Sequence, residues 1–247
     1  MWNKWSLRAR GGGMSLTYAI ADLHGRFDLL TAAFDAIIKH AAERSFKIIT
    51  LGDYVDRGPQ SRQIIDHLMA AQEMGVSLIC LKGNHEDMMV ETLRKPLHPN
   101  WWIDNGGGQT LISYGHERSG NYTPEVVPED HIVWLENLPL MHIDAHRIFV
   151  HAGVDRFKPL DQQDSQVLLW KLYDGNDEGG HDRRHVVHGH HQFEDGPIKH
   201  PGRTDLDTFA WYTGRLVVGV FDDEMAGGPI DCIEVIGPRA PLGGEAA

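Results

Sequence analysis

The chain has 247 residues, of which 41% are hydrophobic, and this length fits one large or two small globular domains. Its 35 acidic residues outnumber its 23 lysines and arginines, giving a formal charge of −12, which argues against a nucleic acid partner held through its phosphate backbone. Bound divalent cations would offset part of this charge, and the 16 histidines supply the commonest transition-metal ligand.

The termini and cysteines bear on where the protein works. Cys80 and Cys232 lie far apart without Cys-x-x-Cys spacing, so we expect no disulfide framework and a cytoplasmic location. No apolar run approaches the roughly 18 residues of a membrane helix. A basic N-terminus before an Ala-x-Ala sequence imitates a signal peptide, but cleavage there would remove the strand expected to carry Asp22.

We predict three segments along the chain. Residues 1–13, which end in three glycines, are expected to be a loose extension. Residues 14–237 are expected to form a single domain, and residues 238–247 a flexible tail. No linker long enough to separate two domains interrupts the central segment.

In the first half of the chain, short apolar strands alternate with amphipathic helices. Strands are predicted at residues 18–21, 47–51 and 77–81. One helix has an apolar stripe from Leu30 to Ala41, the next runs from about Ser61 to Gly75, and a third begins near His85. Strands separated by helices of this length predict an α/β fold with a largely parallel, covered sheet.

The second half is less regular. Residues 96–130 are rich in Pro, Gly, Asn and Trp and are expected to be irregular or a small helical insertion. Strands are predicted at residues 147–150 and 185–187. Residues 215–221 and 231–236 flank a Gly-Gly-Pro turn and are predicted to form a closing hairpin.

Five short polar clusters recur, most of them directly after a predicted strand. Because the carboxyl ends of parallel strands meet at one crevice, we expect the clusters to converge in space. They are Asp22-Leu23-His24-Gly25, Gly52-Asp53-Tyr54-Val55-Asp56-Arg57-Gly58, Gly83-Asn84-His85-Glu86, His151-Ala152-Gly153 and Gly189-His190.

The side chains of these clusters fit two divalent ions. Asp22 and His24 are two residues apart, so an extended backbone points both the same way toward one ion. Asp53 can bridge both ions, and the second site is completed by Asn84, His151 and His190. Mixed carboxylate, imidazole and amide ligands favour Mn, with Fe, Zn or Ni as alternatives. Two such ions about 3.5–4 Å apart can share an attacking hydroxide.

In this order the clusters resemble the signature blocks of the phosphoprotein phosphatase family, within the calcineurin-like metallophosphoesterase superfamily. The resemblance covers about residues 18–235 and is strongest over residues 22–86. It implies a β-sandwich of two mixed sheets flanked by helices, which refines the parallel-sheet prediction. It also implies the same metal ligands, with His85 protonating the leaving oxygen, Asp56 orienting His85, and Arg57 binding phosphate oxygens.

Other positions leave two interpretations open. Trp101, Trp102 and Asn105 resemble a family segment near the substrate groove, or they belong to a packed loop. His188 and His191 flank His190, so a shift of one residue would exchange the ligand. Lys82 and Lys171 stand where many relatives have Arg, and Lys171 is a candidate phosphate contact without the bidentate geometry of Arg.

The leading hypothesis is a phosphatase acting on phosphomonoesters, such as phosphoserine, phosphothreonine or phosphotyrosine in proteins or a small phosphoester. The alternative is a symmetrical dinucleoside tetraphosphatase. The resemblance disfavours this alternative, because that branch typically lacks an aspartate at position 56 and has Asp rather than Glu after its Gly-Asn-His block. A non-catalytic metal-binding scaffold would be marked by a lost ligand or a lost His85–Asp56 pair, and neither is lost. We expect no membrane partner, and the sequence is silent on oligomeric state.

Overall fold

The computed structural model describes residues 15–95, 99–117, 124–175 and 177–240. The predicted extension at residues 1–13 and residues 241–247 of the predicted tail lie outside this part. No helix in the described ranges is long and apolar enough to cross a membrane. That residues 14–237 form a single domain stays a prediction.

The strands form two five-stranded mixed sheets, so the fold predicted from the resemblance is confirmed. The first sheet has the order β10-β9-β1-β2-β3, in which β1, β2 and β3 are parallel and β9 and β10 are antiparallel to their neighbours. Its strands are Leu16–Ile20 (β1), Phe46–Thr50 (β2), Leu78–Cys80 (β3), Arg215–Asp222 (β9) and Asp231–Ile236 (β10).

The second sheet has the order β4-β5-β6-β8-β7. Strands β5, β6 and β8 are parallel, and β4 and β7 are antiparallel edge strands. The strands are Met141–Ile143 (β4), Arg147–Val150 (β5), His185–His188 (β6), Ile198–Lys199 (β7) and Arg203–Asp205 (β8).

Helices flank the sheets. The helices are Phe27–Ala41 (α1), Ser61–Glu73 (α2), Asn84–Arg94 (α3), Pro99–Trp102 (α4), Gly108–Ser113 (α5), Glu129–Glu136 (α6), Ser165–Trp170 (α7) and Ala210–Thr213 (α8). A π-helical turn, Ile103–Gly107, joins α4 to α5. The helical alternative for residues 96–130 therefore describes most of that segment.

The sheets pack face to face through fully buried apolar side chains that both contribute. Ala19, Ile49 and Phe221 of the first sheet meet Phe149 and Val187 of the second. A larger apolar cluster covers the other face of the first sheet against the helices. Burial of apolar surface contributes about 25 cal/mol per Å2, so this packing is the main stabilising contribution. The packing of the two sheets also holds the ends of five strands at one edge: β1, β2, β3, β5 and β6.

The expectation of one largely parallel sheet is wrong. The chain returns through β9 antiparallel to β1, and the strands after residue 140 form a sheet of their own. Strands β7 and β8 have only two and three residues, too short for an apolar alternation to mark them.

Candidate metal centre and active site

The polar clusters that follow the strands meet at one cavity of about 400 Å3. Its lining brings together predicted residues from three of the five clusters. The lining residues are Asp53, Arg57, Asn84, His85, Asn105, Trp170, His190, His191 and Gln192.

Two groups of donor atoms share the carboxylate of Asp53. His24, Asp53 and His85 form one group, and Asp53, His151 and His190 form the other. In each group the donor atoms lie within 4.8 Å of one another. One Asp53 oxygen is 3.3 Å from Nε2 of His24, and the other is 3.5 Å from Nε2 of His151. Asp53 therefore lies between the two donor groups, and its role as a bridging ligand stays a prediction.

Two further predicted ligands adjoin these groups. Asn84 Oδ1 is 2.8 Å from His151 Nε2. The Asp22 carboxylate accepts a hydrogen bond from the His190 backbone, with distances of 3.1 and 3.2 Å to its two oxygens. Asp22 thus touches the same centre, and its role as a ligand stays a prediction.

The imidazoles are oriented by main-chain carbonyls. His24 Nδ1 is 2.8 Å from the Val55 carbonyl, and His151 Nδ1 is 2.9 Å from the Leu51 carbonyl. Each ring donates from Nδ1, which leaves the Nε2 lone pair directed at Asp53. Burial lowers the pKa values of His24, His151 and His190, so these rings are neutral at neutral pH, the form that binds metal.

The donor set fits two divalent ions. Carboxylate and amide oxygens combined with neutral imidazoles, without thiolates, suit Mn, Fe, Zn and similar ions. A buried carboxylate facing several imidazoles is costly unless charge compensates it. Burial alone would raise the pKa of Asp53, and it takes positive charge on His151, His85 and His24, or a bound cation in its place, to hold that pKa below its ordinary value.

His85 has a different environment. Its Nδ1 is 2.6 Å from an Asp56 oxygen, and both side chains are buried. Burial alone would lower the pKa of His85, yet the charge of Asp53 and the hydrogen bond to Asp56 raise it above its ordinary value. His85 therefore holds a proton more readily than the neutral histidines beside it, as a general acid requires.

Asp56 is held by partners that the sequence analysis missed. The indole N–H of Trp102 is 3.0 Å from both Asp56 oxygens, and the Thr110 hydroxyl donates to one of them at 2.7 Å. All three side chains are buried. The sequence predicts only that Trp101 and Trp102 belong to one segment, because no spacing rule indicates which of the two indoles is buried.

Arg57 lies over the centre. Its two terminal nitrogens are 2.6 Å from His24 Nε2 and 3.0 Å from His85 Nε2. The guanidinium lines the cavity between the metal-ligand group and the dyad, where its planar fork can reach phosphate oxygens. Phosphate binding by Arg57 stays a prediction.

The backbone of these loops is strained. Among the described residues, nine other than glycine have positive φ, and six of them are predicted site residues: Asp22, His24, Asp53, Asp56, Arg57 and His190. Such conformations persist only where the surrounding structure enforces them, and they cluster at functional sites. Gly83 and Gly189 allow the close approach, because a Cβ on either would overlap a carboxylate oxygen of Asp53 or Asp22.

Glu86 has a structural role, because it holds the loops that carry Asp53 and Asn84. Its fully buried carboxylate accepts hydrogen bonds from the backbone N–H groups of Asp53, Tyr54, Val55 and Gly83. From the sequence, Glu86 served only to separate family branches. A glutamate at the third position of a helix reaches back to the N-cap, and that signal would have indicated this role.

Of the other predicted positions, one lines the cavity and two do not. Asn105 lines the cavity and donates to the Trp101 carbonyl at 2.7 Å. Lys82 donates to the Glu136 carbonyl at 3.0 Å. The Lys171 ammonium donates to the Val154 carbonyl at 2.8 Å and faces Asp177. It would have to leave these partners to reach the cavity, and its phosphate contact stays a prediction.

The three neighbouring histidines at positions 188, 190 and 191 have different contacts. His190 belongs to a donor group. His188 is buried and accepts from Arg203 at 3.3 Å, away from the donor atoms. His191 lines the cavity and packs against Phe193. The geometry therefore favours His190 as the candidate ligand.

A family model of calcineurin-like phosphoesterases matches residues 16–220. The chain belongs to the calcineurin-like phosphoesterase family. Its members are metal-dependent hydrolases of phosphoric esters, so the broad chemistry predicted from the clusters is confirmed.

Curated relatives of this phosphoesterase carry tetraphosphatase names. A symmetrical bis(5'-nucleosyl)-tetraphosphatase of Pseudomonas syringae pv. syringae (strain B728a) is 29% identical over 139 residues, which are 56% of this chain and 41% of the relative. The asymmetrical bis(5'-nucleosyl)-tetraphosphatase PrpE of Anoxybacillus flavithermus (strain DSM 21510 / WK1) is 25% identical over 224 residues, 80% of this chain and 86% of the relative. The match thus spans less than half of the symmetrical relative.

Solved structures show the same fold. A structure provisionally named a diadenosine tetraphosphatase has a TM-score of 0.63 at 22% identity and covers 94% of this phosphoesterase and 97% of its own chain. A protein serine/threonine phosphatase from Saccharomyces cerevisiae has a TM-score of 0.60 at 15% identity, with 93% and 82% covered.

Proposed function

We propose that this phosphoesterase hydrolyses the phosphoanhydride chain of dinucleoside polyphosphates with the help of two divalent ions, Mn being the expected metal. The observation that carries the proposal is the pair of donor groups joined by Asp53 beside a buried His85–Asp56 dyad. A carboxylate bridge, neutral imidazoles, a proton donor and an arginine in one cavity are the parts that phosphoryl transfer requires.

Relatives support the dinucleotide as substrate. Both the symmetrical and the asymmetrical relatives are named bis(5'-nucleosyl)-tetraphosphatases. These names run against the expectation that Asp56 and Glu86 favour a phosphatase of proteins. In this structure Glu86 accepts hydrogen bonds from the backbone of the loop after β2, so its identity bears on loop geometry and does not report on the substrate.

The residues of the two donor groups, with Asp22, Asn84 and Arg57, each have a part in this reaction. Bound divalent ions would lower the pKa of a water molecule and neutralise charge on the phosphoryl group. His24 would hold one ion with Asp53 and Asp22, and His151 and His190 would hold the other with Asp53 and Asn84. Arg57 orients the phosphoryl oxygens through its fork, and His85 supplies a proton to the departing oxygen.

A second candidate is hydrolysis of phosphomonoesters in proteins, and the intact dyad favours it. A phosphate leaving group departs as a stable anion, whereas a serine alkoxide needs a proton as it leaves. The buried hydrogen bond of 2.6 Å between His85 and Asp56 prepares the site for the harder leaving group. The dyad therefore gives this candidate an observation of its own.

The two candidates differ in a measurable ratio. We expect kcat/KM in saturating Mn2+ to be higher for diadenosine tetraphosphate than for a phosphoserine peptide. Product analysis by ion-exchange chromatography then identifies symmetrical cleavage by two molecules of ADP, and asymmetrical cleavage by AMP with ATP. A ratio favouring the phosphopeptide would overturn the dinucleotide proposal and leave the phosphoesterase chemistry in place.

A further inference from the structure

Two tryptophans at the mouth of the cavity are stacked on each other. The rings of Trp101 and Trp170 have centroids 5.8 Å apart and an interplanar angle of 20°. Trp170 lines the catalytic cavity and meets the candidate ligand His190 edge-on at 6.1 Å. The pair, here called the indole platform, thus begins beside the metal centre.

Trp101 is exposed although it is held in place. Its side chain is 48% exposed, while the neighbouring Trp102 is fully buried and bonded to Asp56. Farther along the chain, Asn105 donates to the Trp101 carbonyl, and the Gly106 carbonyl accepts from the Arg57 backbone. The residues that follow Trp101 are therefore fastened to Asp56 and Arg57, and a large aromatic surface is presented to solvent beside them.

There is room beside the indole platform. Trp170 also lines an adjoining cavity of about 480 Å3, whose other walls include Phe157, Leu172 and Arg156. Phe157 and Leu172 are 86% and 62% exposed. An apolar surface next to a phosphate site fits a ligand that joins a planar ring to a phosphate chain.

We propose that the indole platform stacks a nucleobase of the substrate while its phosphate chain lies in the catalytic cavity. This inference rests on the proposed function and names the recognition element for its nucleoside part. Stacking of a base on an aromatic side chain is tolerant of sequence, because every base has a π-face. The platform therefore predicts little discrimination between adenine and guanine nucleotides, and strong discrimination against phosphate chains that lack a base.

The test compares ATP with inorganic tripolyphosphate, which have the same number of phosphates with and without a nucleoside. Dissociation constants are measured by calorimetry in saturating Mn2+ with hydrolysis-resistant imido analogues of the two ligands, so that neither is turned over. We expect ATP to bind about 10- to 100-fold more tightly than tripolyphosphate. Trp101→Ala should abolish this difference without changing tripolyphosphate binding, and Trp101→Phe should retain most of it.

Met74→Ala is the matched control, because Met74 is also 48% exposed and lies at the end of α2, and it should change neither constant. Equal affinities for ATP and tripolyphosphate, or equal weakening of both by Trp101→Ala, would overturn the platform. So would a Trp101-dependent gain confined to a phosphotyrosine peptide. If diadenosine tetraphosphate is not hydrolysed but ATP binding still depends on Trp101, the catalytic proposal fails and the platform stands.

Discussion

At the scale of single residues, Asp53 contacts more parts of the site than its neighbours do. Its carboxylate belongs to both donor groups, and one of its oxygens also accepts from the His85 backbone at 3.1 Å. Its φ of 54° places it on a tight loop directly after β2. Among the described residues, Asp53 is the carboxylate that belongs to both donor groups and also accepts from the His85 backbone, so we expect no neighbouring side chain to replace it.

Replacing Asp53 by Asn removes the charge and keeps the shape. We expect activity to fall by more than about 100-fold, because replacing a residue that only hydrogen-bonds to a metal ligand already lowers metal affinity or activity by about 10–100-fold. Elemental analysis after equilibration with Mn2+ should find two ions per wild-type chain and fewer in Asp53→Asn. Asp66→Asn, at a half-exposed position on α2, is the control. Full activity of Asp53→Asn with fewer than two ions would contradict the two-metal proposal.

His85 allows a test that depends on the leaving group. We expect His85→Asn to lower kcat by about 10²–10⁴-fold on phosphoserine substrates, because the departing alkoxide loses its acid. The loss should be smaller for p-nitrophenyl phosphate and for diadenosine tetraphosphate, whose leaving groups are stable anions. Parallel kcat measurements on the three substrates check this, and equal losses on all of them would assign His85 a positioning role instead.

At the scale of elements, the segment from α4 to α5 carries the support of the dyad. Trp102 on α4 and Thr110 on α5 both donate to Asp56, and the π-helical turn between them sets their relative rotation. The positive φ of Gly106, 108°, lets the turn approach the backbone of Arg57, where a Cβ would overlap. The irregular composition of this segment thus has a structural purpose.

Trp102→Phe tests this support. The substitution removes the indole N–H from a buried carboxylate, and we expect a loss of about 1–3 kcal/mol in unfolding free energy together with a lower kcat on phosphoserine substrates. Trp134→Phe is the matched control, because the Trp134 indole donates to Gln72 on another surface. Denaturant unfolding and kcat are measured for both, and an unchanged kcat in Trp102→Phe would separate this tryptophan from the dyad.

At the scale of the whole molecule, the two sheets bury histidines whose protonation opposes folding. His185 on β6 is 6% exposed, and its Nε2 is 2.9 Å from the Thr204 hydroxyl. Burial lowers its pKa to about 4, against an ordinary value near 6.5. The unfolded chain therefore binds this proton more tightly than the folded chain does.

The lowered pKa of His185 makes the folded state less stable as the pH falls. His185 contributes its full stability above about pH 6.5 and loses it as the pH falls toward 4, a change of about 3 kcal/mol. Burial raises the pKa values of Glu86 and Asp207 to about 7, and these groups act in the opposite direction. We therefore compare wild type with His185→Gln by denaturant unfolding from pH 7 to 4. The variant should lose less stability over this range, and parallel curves would contradict the prediction.

The candidate metal ligands could be selected from the local sequence. Asp22, His24, Asp53, Asn84, His151 and His190 follow apolar strands, and a strand that ends in a polar cluster places its ligands at the edge of a sheet whatever the rest of the chain does. The strand at residues 147–150 was predicted with its observed bounds, because a continuous apolar run between polar turns has few other interpretations. These features depend on neighbours within a few residues.

The tertiary structure alone decided the rest. Adjacent tryptophans with the same local sequence have opposite environments, Trp102 fully buried against Asp56 and Trp101 exposed on Trp170, because partners about 45 and 70 residues away in the chain set their directions. The side chain of Lys171 contacts the Val154 carbonyl and Asp177, and no local pattern indicated these partners. The division of the strands into two sheets was equally beyond local pattern, since pairing of β9 with β1 joins segments about 200 residues apart. Periodicity specifies which face of an element is buried, and only the packing of distant elements specifies what that face meets.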